Sequence, residues 1–171
     1  MPNMESHSDG IVCLDEFTLN DAPAMHAADN DPEHRRRFEF PSDFVPSIEH
    51  SENVIRAWIE DMKIGKRYNF AVRDAKSGRL VGGCEIRPKD NASTANLSYW
   101  THPDCRRRGF ATRAVSIART IAATLGITRL EITVDYDNIG SKRVAVNNGF
   151  SRSTDAGERM CFICNPSSNR S

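Results

Sequence analysis

The chain has 171 residues, which fits one domain, and its 23 Lys and Arg balance 23 Asp and Glu to a net charge of zero. That balance argues against nucleic acid or an anionic membrane as a partner, because both attract an excess of positive charge. No apolar run approaches the ~20 residues of a membrane span, and five scattered cysteines argue against a disulfide framework. These features predict a cytoplasmic protein with a flexible segment at 1–10, one domain at 11–165 and a flexible tail at 166–171.

Hydrophobic periodicity and turn residues divide the domain into alternating strands and helices. In chain order we predict a strand at 11–18, a helix at 22–28, an irregular loop at 29–46, a helix at 54–62 capped by Ser47 or Ser51, strands at 68–74, 80–87 and 95–101, a helix at 111–125, a strand at 130–135, a short helix at 141–148, and closing strands at 150–154 and 160–164. The loop at 29–46 contains three prolines and the cluster Arg35-Arg36-Arg37, and long loops often line binding sites.

The order of these elements predicts an α/β fold. The strands at 68–74 and 80–87 are joined by Ala75-Lys76-Ser77-Gly78, a good hairpin loop, so we expect an antiparallel meander that includes 95–101. The succession of strand, helix and strand over 95–135 then predicts a crossover with parallel neighbours.

The strongest chemical signal is a basic turn, Arg106-Arg107-Arg108-Gly109, that leads from a strand into a helix. The first turn of a helix presents free N–H groups and the positive end of its dipole, so it can bind phosphate. Gly109 permits close approach of the backbone. The same arrangement also occurs without a ligand, so the residues alone leave both interpretations open.

The sequence Arg106-Arg107-Arg108-Gly109-Phe110-Ala111 resembles the (Arg/Gln)-x-x-Gly-x-(Gly/Ala) signature of the GNAT acetyltransferases. Leu97-Ser98-Tyr99-Trp100, Asn138-Ile139-Gly140-Ser141 and Asn148-Gly149-Phe150 resemble elements of the RimJ/RimL-like branch, in the same order. The resemblance covers about residues 11–164. It implies a central mixed, mostly antiparallel sheet flanked by helices on both faces and splayed between the fourth and fifth predicted strands.

The resemblance also implies acetyl-coenzyme A as co-substrate, and no metal is expected. The residues it assigns to cofactor binding are Trp100, Thr101, Arg106, Arg107, Arg108, Gly109, Phe110, Ala111, Thr112, Asn138 and Ser141. A backbone N–H on the strand ending near Trp100 is implied as the oxyanion donor. Arg107 departs from the branch, which commonly has glycine there. A left-handed conformation at Arg107 would cost about 1–2 kcal/mol.

Three residues are candidates for proton transfer. Ser141 resembles the element beside the cofactor sulfur, and its alternative role with Asn138 is that of a helix cap. Glu85 lies in a glycine-flanked strand, and Glu131 lies on the polar side of an alternating strand. Either carboxylate could act as a general base through water, Glu85 before Glu131, or could instead pair with a nearby arginine such as Arg87 or Arg129.

The resemblance implies an N-acetyltransferase that transfers the acetyl group to a primary amine by direct attack. The acceptor is a protein N-terminus or a small amine such as an antibiotic, a polyamine or an amino acid. The alternative is a non-catalytic module of the same fold that binds acyl-coenzyme A or a phosphate ligand. No nucleic acid or membrane partner is expected, and a homodimer is left open.

Overall fold

The computed structural model describes residues 7–154 and 157–168, and within them eight strands form one sheet. The strands are β1 His7–Ser8, β2 Val12–Glu16, β3 Tyr68–Asp74, β4 Leu80–Pro88, β5 Thr94–Thr101, β6 Arg129–Asp135, β7 Ser151–Arg152 and β8 Arg159–Cys164. The predicted strand at 68–74 has the same bounds as β3, and the other central strands differ by one or two residues at their ends.

Five α-helices accompany the sheet in the described part of the chain. They are α1 Ala22–Asp29, α2 Pro32–Arg37, α3 Ile48–Lys63, α4 Phe110–Thr124 and α5 Ile139–Asn147. A short 3-10 turn at Leu19–Asp21 precedes α1, and another at Pro103–Cys105 follows β5. None of the helices described is both long and apolar enough to cross a membrane.

The neighbouring strands follow the order β1-β2-β3-β4-β5-β6-β8-β7, and among those described only β5 and β6 pair in parallel. The crossover through α4 requires this direction. Residues 94–96 pair with 129–131, whereas β5 remains paired with β4 as far as Thr101 opposite Gly82. The two parallel strands therefore separate toward their carboxyl ends. This confirms the predicted splay, which lies between β5 and β6.

Successive side chains of a strand point to opposite faces of the sheet, and the two faces have separate cores. Phe70 of β3 packs in a cluster with Val115 of α4, to which α5 also contributes. The next residue, Ala71, packs in a second cluster with Met25 of α1 and Ile55 of α3. We call the first side of the sheet the α4 face and the second the α3 face. The prediction of helices on both faces is confirmed.

The segment 29–46 is more ordered than its prolines suggest, because it contains α2. The Asp31 carboxylate accepts a hydrogen bond at 2.9 Å from the His34 backbone N–H and so caps this helix. Pro32 occupies the first helical position, where a missing N–H costs nothing. The prediction of an irregular segment is therefore wrong for residues 32–37.

The start of α3 lies six residues before the apolar pattern at 54–62. Ser47 is the cap, because its hydroxyl oxygen accepts a hydrogen bond at 3.0 Å from the His50 N–H, while Ser51 is fully buried inside the helix. At the amino end, His7 and Ser8 pair with β2 as β1. Residues 1–6 and 169–171 lie outside the described residues, so the two flexible segments stay predictions.

Candidate active site

The turn before α4 adopts a backbone conformation suited to an anion. Arg107 has a φ of 61°, and Gly109, the residue that caps α4, has a φ of 79°. Gly109 offers no side chain to the helix, so the N–H groups of Phe110, Ala111 and Thr112 start the helix without a side-chain cap. A Cβ built on Gly109 would meet no atom within 4 Å. This concave, open backbone is the kind that accommodates a phosphate group.

The three arginines of this turn differ in their contacts. Arg106 donates a hydrogen bond at 2.6 Å to the carboxylate of Asp31, the residue that caps α2. Arg108 lies 4.9 Å from the ring centre of Phe110. Among the described residues neither Arg107 nor Arg108 forms an ion pair, and the carboxylate that lies close enough to feel the charge of Arg108 is Asp74. Arg107 holds its left-handed φ despite its side chain, which costs about 1–2 kcal/mol.

The first turn of α4 is fixed to the end of α5 by a buried amide. The side chain of Asn148 is fully buried, and its NH₂ group donates to the carbonyl oxygens of Thr112 at 3.1 Å and Val144 at 2.9 Å. A predicted element of the family signature, 148–150, thus holds the two helices of the α4 face together. Because of this contact, the first turn of α4 and the end of α5 keep a fixed relation.

Every second residue at the end of β5 points its backbone N–H group into the splay. The His102 N–H donates to the Val81 carbonyl at 2.8 Å, which makes this pair a hydrogen-bonded one. Along a strand, the N–H groups of successive residues point alternately to one neighbouring strand and to the other. Trp100 therefore points its N–H toward β4, while Tyr99 and Thr101 point theirs into the splay. The expected oxyanion donor is accordingly Tyr99 or Thr101, next to Trp100.

On the α4 face of the splay, the start of α5 meets β5. The Asn138 side-chain oxygen caps α5 by accepting a hydrogen bond at 3.1 Å from the Ser141 N–H. The Ser141 hydroxyl is hydrogen-bonded to the Tyr99 hydroxyl at 2.5 Å, and the Tyr99 hydroxyl also donates to the Ser141 carbonyl at 3.2 Å. Asn138 and Ser141 are thus brought together.

Tyr99 is a candidate functional residue that sequence reasoning missed. Burial raises the pKa of Tyr99 to about 12, although its hydrogen bond with Ser141 lowers it. The phenol is therefore neutral at ordinary pH and can donate a proton or a hydrogen bond. Strand alternation could have revealed it, because Tyr99 faces the same side of the sheet as the buried Leu97.

On the α3 face, the Trp100 indole occupies a place that only a glycine leaves open. A Cβ on Gly83, opposite Trp100 in β4, would lie 2.3 Å from the indole Nε1. The indole meets the ring of His34 from α2 edge-on, with ring centres 5.4 Å apart and an interplanar angle of 80°. Of the two glycines that precede Glu85, Gly83 therefore leaves room for the indole, and Gly82 leaves room for the backbone carbonyl of Trp100.

Glu85 lies on the α3 face, opposite Ser98 of β5 and Asn69 of β3. Its carboxylate accepts a hydrogen bond at 2.9 Å from the Asn69 NH₂ group and forms ion pairs with Arg87 at 2.8 Å and Arg67 at 3.7 Å. Both oxygens therefore already have partners. The arginine pairing that the sequence left open for Glu85 is present.

Glu131 is also paired, with Lys89 and, at 2.8 Å, with Arg129. Burial raises the pKa of Glu131, but the hydrogen bonds from Lys89 and Arg129 outweigh burial and lower the pKa below the usual value of a glutamate. Glu131 pairs with Asn96, at the point where β5 and β6 still touch, and not at the open end of the splay. The structure therefore places it apart from Thr101 and Ser141.

The arginine cluster of α2 ties this helix to the end of β6. Arg37 forms ion pairs with Asp135 at 2.8 Å and Asp137 at 2.7 Å, and Arg36 reaches Asp137 at 3.0 Å. With the contact between Asp31 and Arg106 at its other end, α2 is tied to the loops on both sides of the splay. No group of three or more His, Cys, Asp or Glu side chains in the described ranges is placed to hold a metal ion.

This arrangement has counterparts among known proteins. Residues 12–151 match the family model described as an acetyltransferase (GNAT) domain. The chain belongs to the GNAT acetyltransferase family. No curated protein sequence matches it.

Three solved structures show the same fold at low sequence identity. RimL, a ribosomal L7/L12 alpha-N-protein acetyltransferase in complex with coenzyme A, has a TM-score of 0.79 at 17% identity over 94% of this chain and 98% of its own. The microcin C7 self-immunity acetyltransferase MccE, in complex with acetyl-CoA and AMP, has a TM-score of 0.75 at 18% identity over 92% and 93%. RimJ of Mycobacterium smegmatis, in complex with CoA-disulfide, has a TM-score of 0.76 at 17% identity over 90% and 81%.

Proposed function

We propose that this GNAT protein transfers the acetyl group of acetyl-coenzyme A to the nitrogen of a primary amine. The observation that carries the proposal is the opening between β5 and β6. There the N–H groups of Tyr99 and Thr101 face a cleft next to the uncapped start of α4. A thioester carbonyl in this cleft would find backbone donors, and a phosphate group would find the turn at 106–112.

The cofactor residues proposed from the sequence are compatible with this arrangement. The turn from Arg106 to Thr112 provides free N–H groups and two arginines, Arg107 and Arg108, that form no ion pair within the described residues, and a pyrophosphate needs both kinds of group. Asn138 and Ser141 lie on the same face of the sheet, where they would meet the thiol end of the cofactor. The complexes of RimL with coenzyme A and of MccE with acetyl-CoA support this choice of co-substrate.

Acetyl transfer to an amine makes three chemical demands: a neutral amine, stabilisation of the oxyanion, and a proton for the departing thiolate. The N–H groups of Tyr99 and Thr101 would serve the oxyanion. The Ser141 hydroxyl, bonded to the neutral phenol of Tyr99, would donate a hydrogen bond to the sulfur. Glu85, and after it Glu131, remain the bases proposed from the sequence.

The acceptor is proposed as a protein N-terminus or a small-molecule amine. The description of RimL as an alpha-N-protein acetyltransferase supports the first class. An α-amino group has an ordinary pKa near 8, so on the order of a tenth is neutral at pH 7, whereas the side-chain amine of lysine has one near 10.4. An α-amino acceptor therefore needs less help from a base.

A second function, binding of acyl-coenzyme A without turnover, is favoured by one observation. Both carboxylates proposed as bases, Glu85 and Glu131, already form ion pairs, so neither is free in this structure. A chain without an available base could retain the cofactor site and lack transfer.

Thiol release from acetyl-coenzyme A distinguishes the two functions. The protein is incubated with the thioester and a panel of amines: a peptide with a free N-terminus, a polyamine, an amino acid and an aminoglycoside. Mass spectrometry then identifies the acetylated product. Acceptor-dependent thiol release supports transfer. Calorimetric binding of coenzyme A without release by any acceptor would favour the binding module, and the absence of both would exclude both functions.

A further inference from the structure

A histidine that the proposed mechanism does not yet use lies at the mouth of the splay. His34 of α2 is only 8% exposed, and its ring contacts Trp100 edge-on. The rings of Phe38 and Phe40 surround it, with centres 4.8 Å and 5.7 Å away. Because the cap by Asp31 and the ion pairs of Arg37 hold α2 itself, the imidazole has a fixed place beside the cleft.

A second buried residue orients this ring. The Oδ1 atom of Asp29, the last residue of α1, lies 3.4 Å from Nε2 of His34, and Asp29 is also only 8% exposed. A carboxylate beside one ring nitrogen favours the tautomer that carries the proton at that nitrogen. The lone pair then resides on Nδ1. This atom has no hydrogen-bond partner among the described residues, and it is not fully buried.

The two sides of β5 place proton donor and proton acceptor on opposite sides of the acetyl site. Tyr99 points to the α4 face, where it meets Ser141, and Trp100 points to the α3 face, where it meets His34. Their Cα atoms are about 3.8 Å apart. A thioester held by the N–H groups of Tyr99 and Thr101 would therefore have the hydroxyl pair on one side and the imidazole on the other.

His34 is better placed than the two carboxylates for contact with an amine at this point. Glu85 lies opposite Ser98, two residues before Trp100, which is about 7 Å along the strand. To accept a proton, Glu85 would have to give up contacts with Asn69, Arg67 or Arg87. Within the described part of the chain, the Nδ1 atom of His34 has no hydrogen bond to lose.

We propose, on the basis of the acetyltransferase function above, that His34 is the general base for the acceptor amine and that Asp29 is its positioning residue. Nδ1 of His34 takes one proton from the acceptor ammonium, directly or through one water molecule, and leaves a neutral amine. The amine nitrogen then bonds to the acetyl carbon as the carbon–sulfur bond breaks. The second nitrogen proton passes to the thiolate through Ser141, and the imidazolium returns its proton to solvent.

The charged groups around the imidazole are few. Asp29 faces it from α1, and Asp31 faces it from the start of α2 together with its partner Arg106 from the turn before α4. From β5 the ring of Trp100 contacts it, and from the end of α2 and the following loop the rings of Phe38 and Phe40 contact it.

The test measures kcat/KM against pH for the wild-type protein and for His34→Gln, with two acceptors of different basicity. Glutamine retains polarity and approximate size but takes up no proton. For a lysine-like amine the loss at pH 7 is expected to be roughly 10²-fold or more. The loss should shrink as the pH rises toward the pKa of the amine, because a growing fraction is neutral without a base. For an α-amino acceptor it should be smaller.

Three further variants keep the outcome interpretable. Asp29→Asn should produce a smaller loss with the same pH dependence. It tests the pair of His34 and Asp29, which we call the dyad, if His34→Gln does not fold. His50→Gln is the matched control, since His50 contacts Phe44 at the outer end of the same aromatic cluster and does not contact Trp100. Glu85→Gln, measured in the same way, tests the competing base.

Failure of the wild-type protein to acetylate any acceptor refutes the proposed function and not the dyad alone. If the wild type is active, an unchanged rate in His34→Gln overturns the inference. An equal loss at every pH and for both acceptors also overturns it, because that result shows a structural role. A pH-dependent loss confined to Glu85→Gln would assign the base to Glu85.

Discussion

Gly109 is the residue on which cofactor binding depends most directly in the proposed site. Valine there would adopt an unfavourable φ of 79° and would place methyl groups in the open space that a pyrophosphate needs. We expect Gly109→Val to weaken coenzyme A binding roughly tenfold or more, as measured by calorimetry. An unchanged affinity in a folded variant would refute the site.

Gly126, at the other end of α4, offers a matched control for this substitution. It has the same φ of 79° and the same empty surroundings, but it lies far from the anion-binding turn. Gly126→Val should therefore lower the free energy of unfolding by a similar amount without loss of affinity for coenzyme A.

The hydroxyl pair of Tyr99 and Ser141 supports a second prediction. Ser141→Ala and Tyr99→Phe each remove one hydroxyl from the hydrogen bond beside the proposed sulfur position. Both should lower kcat more than they lower coenzyme A affinity or thermal stability, because the contact matters when negative charge develops on sulfur. Asn138→Ala should also lower kcat, with a larger effect on stability through the lost cap. Full kcat in all three variants would make these residues structural.

Helix α2 is the element that connects the two sides of the splay, and Arg37 is its main contact with β6. The Arg37 side chain is 16% exposed and contacts two carboxylates, whereas that of Arg36 is 55% exposed. We expect Arg37→Ala to speed hydrogen exchange of the α2 amides and to raise KM for the acceptor several-fold, with little change in coenzyme A affinity. Arg36→Ala should change both quantities less, because exposed ion pairs contribute little. Equal effects of the two substitutions would contradict this role.

At the level of elements, the sequence predicts the sheet well and the contacts of α2 poorly. Strands β3 to β6 follow from alternation and from the hairpin at 75–78, because those signals are local. The signature from Arg106 to Ala111 locates the turn proposed to bind the pyrophosphate for the same reason. The left-handed Arg107 could only be posed as a question, because no local rule says which residue of a turn takes a positive φ.

The proposed acceptor site depends on contacts between segments far apart in the chain. Asp31 followed by Pro32 is a local signal for the start of a helix. The three prolines of this segment nevertheless favoured the prediction of an irregular loop. The pairing of His34 with Asp29 and Trp100, however, exists only once α2 lies across the end of β5. The sequence neighbours Arg87 and Arg129 indicated ion pairs for Glu85 and Glu131. The further partners, Asn69 and Arg67 for Glu85 and Lys89 for Glu131, come from other strands and loops and were not predicted.

For the whole molecule, the two faces of the sheet divide the proposed reaction between them. The α4 face carries the anion-binding turn and the hydroxyl pair, so it would receive the cofactor. The α3 face carries Trp100, His34 and the paired carboxylates, so it would receive the amine. Substrates bound on opposite faces could meet only where the sheet is open, between β5 and β6. For this reason the splay is the candidate site, and a surface pocket is not.

The dependence of folding on pH is also a property of the whole molecule. Several carboxyl groups have a lowered pKa in the fold, among them Asp21, Asp31 and Glu131. For Asp21, burial raises the pKa, but hydrogen bonds from Arg73, two of them at 2.8 Å, and from the Thr18 N–H outweigh burial. Such groups bind a proton more weakly in the folded chain than in the unfolded chain. Their stabilisation is therefore complete above the unfolded carboxyl pKa near 4 and is lost as the pH falls through the lower folded values.

We expect the free energy of unfolding in urea to change little between pH 7 and 5 and to fall steeply below pH 4. Asp21→Asn should lower the free energy of unfolding by about 2 kcal/mol at pH 7, because Arg73 then lacks its main partner. That difference should shrink as the pH falls, since the wild-type carboxyl becomes protonated as well. Asp137→Asn, at a carboxylate that is 61% exposed, should have a much smaller effect at every pH. Parallel curves for the wild type and Asp21→Asn down to pH 3 would show that Asp21 contributes by packing and not by its charge.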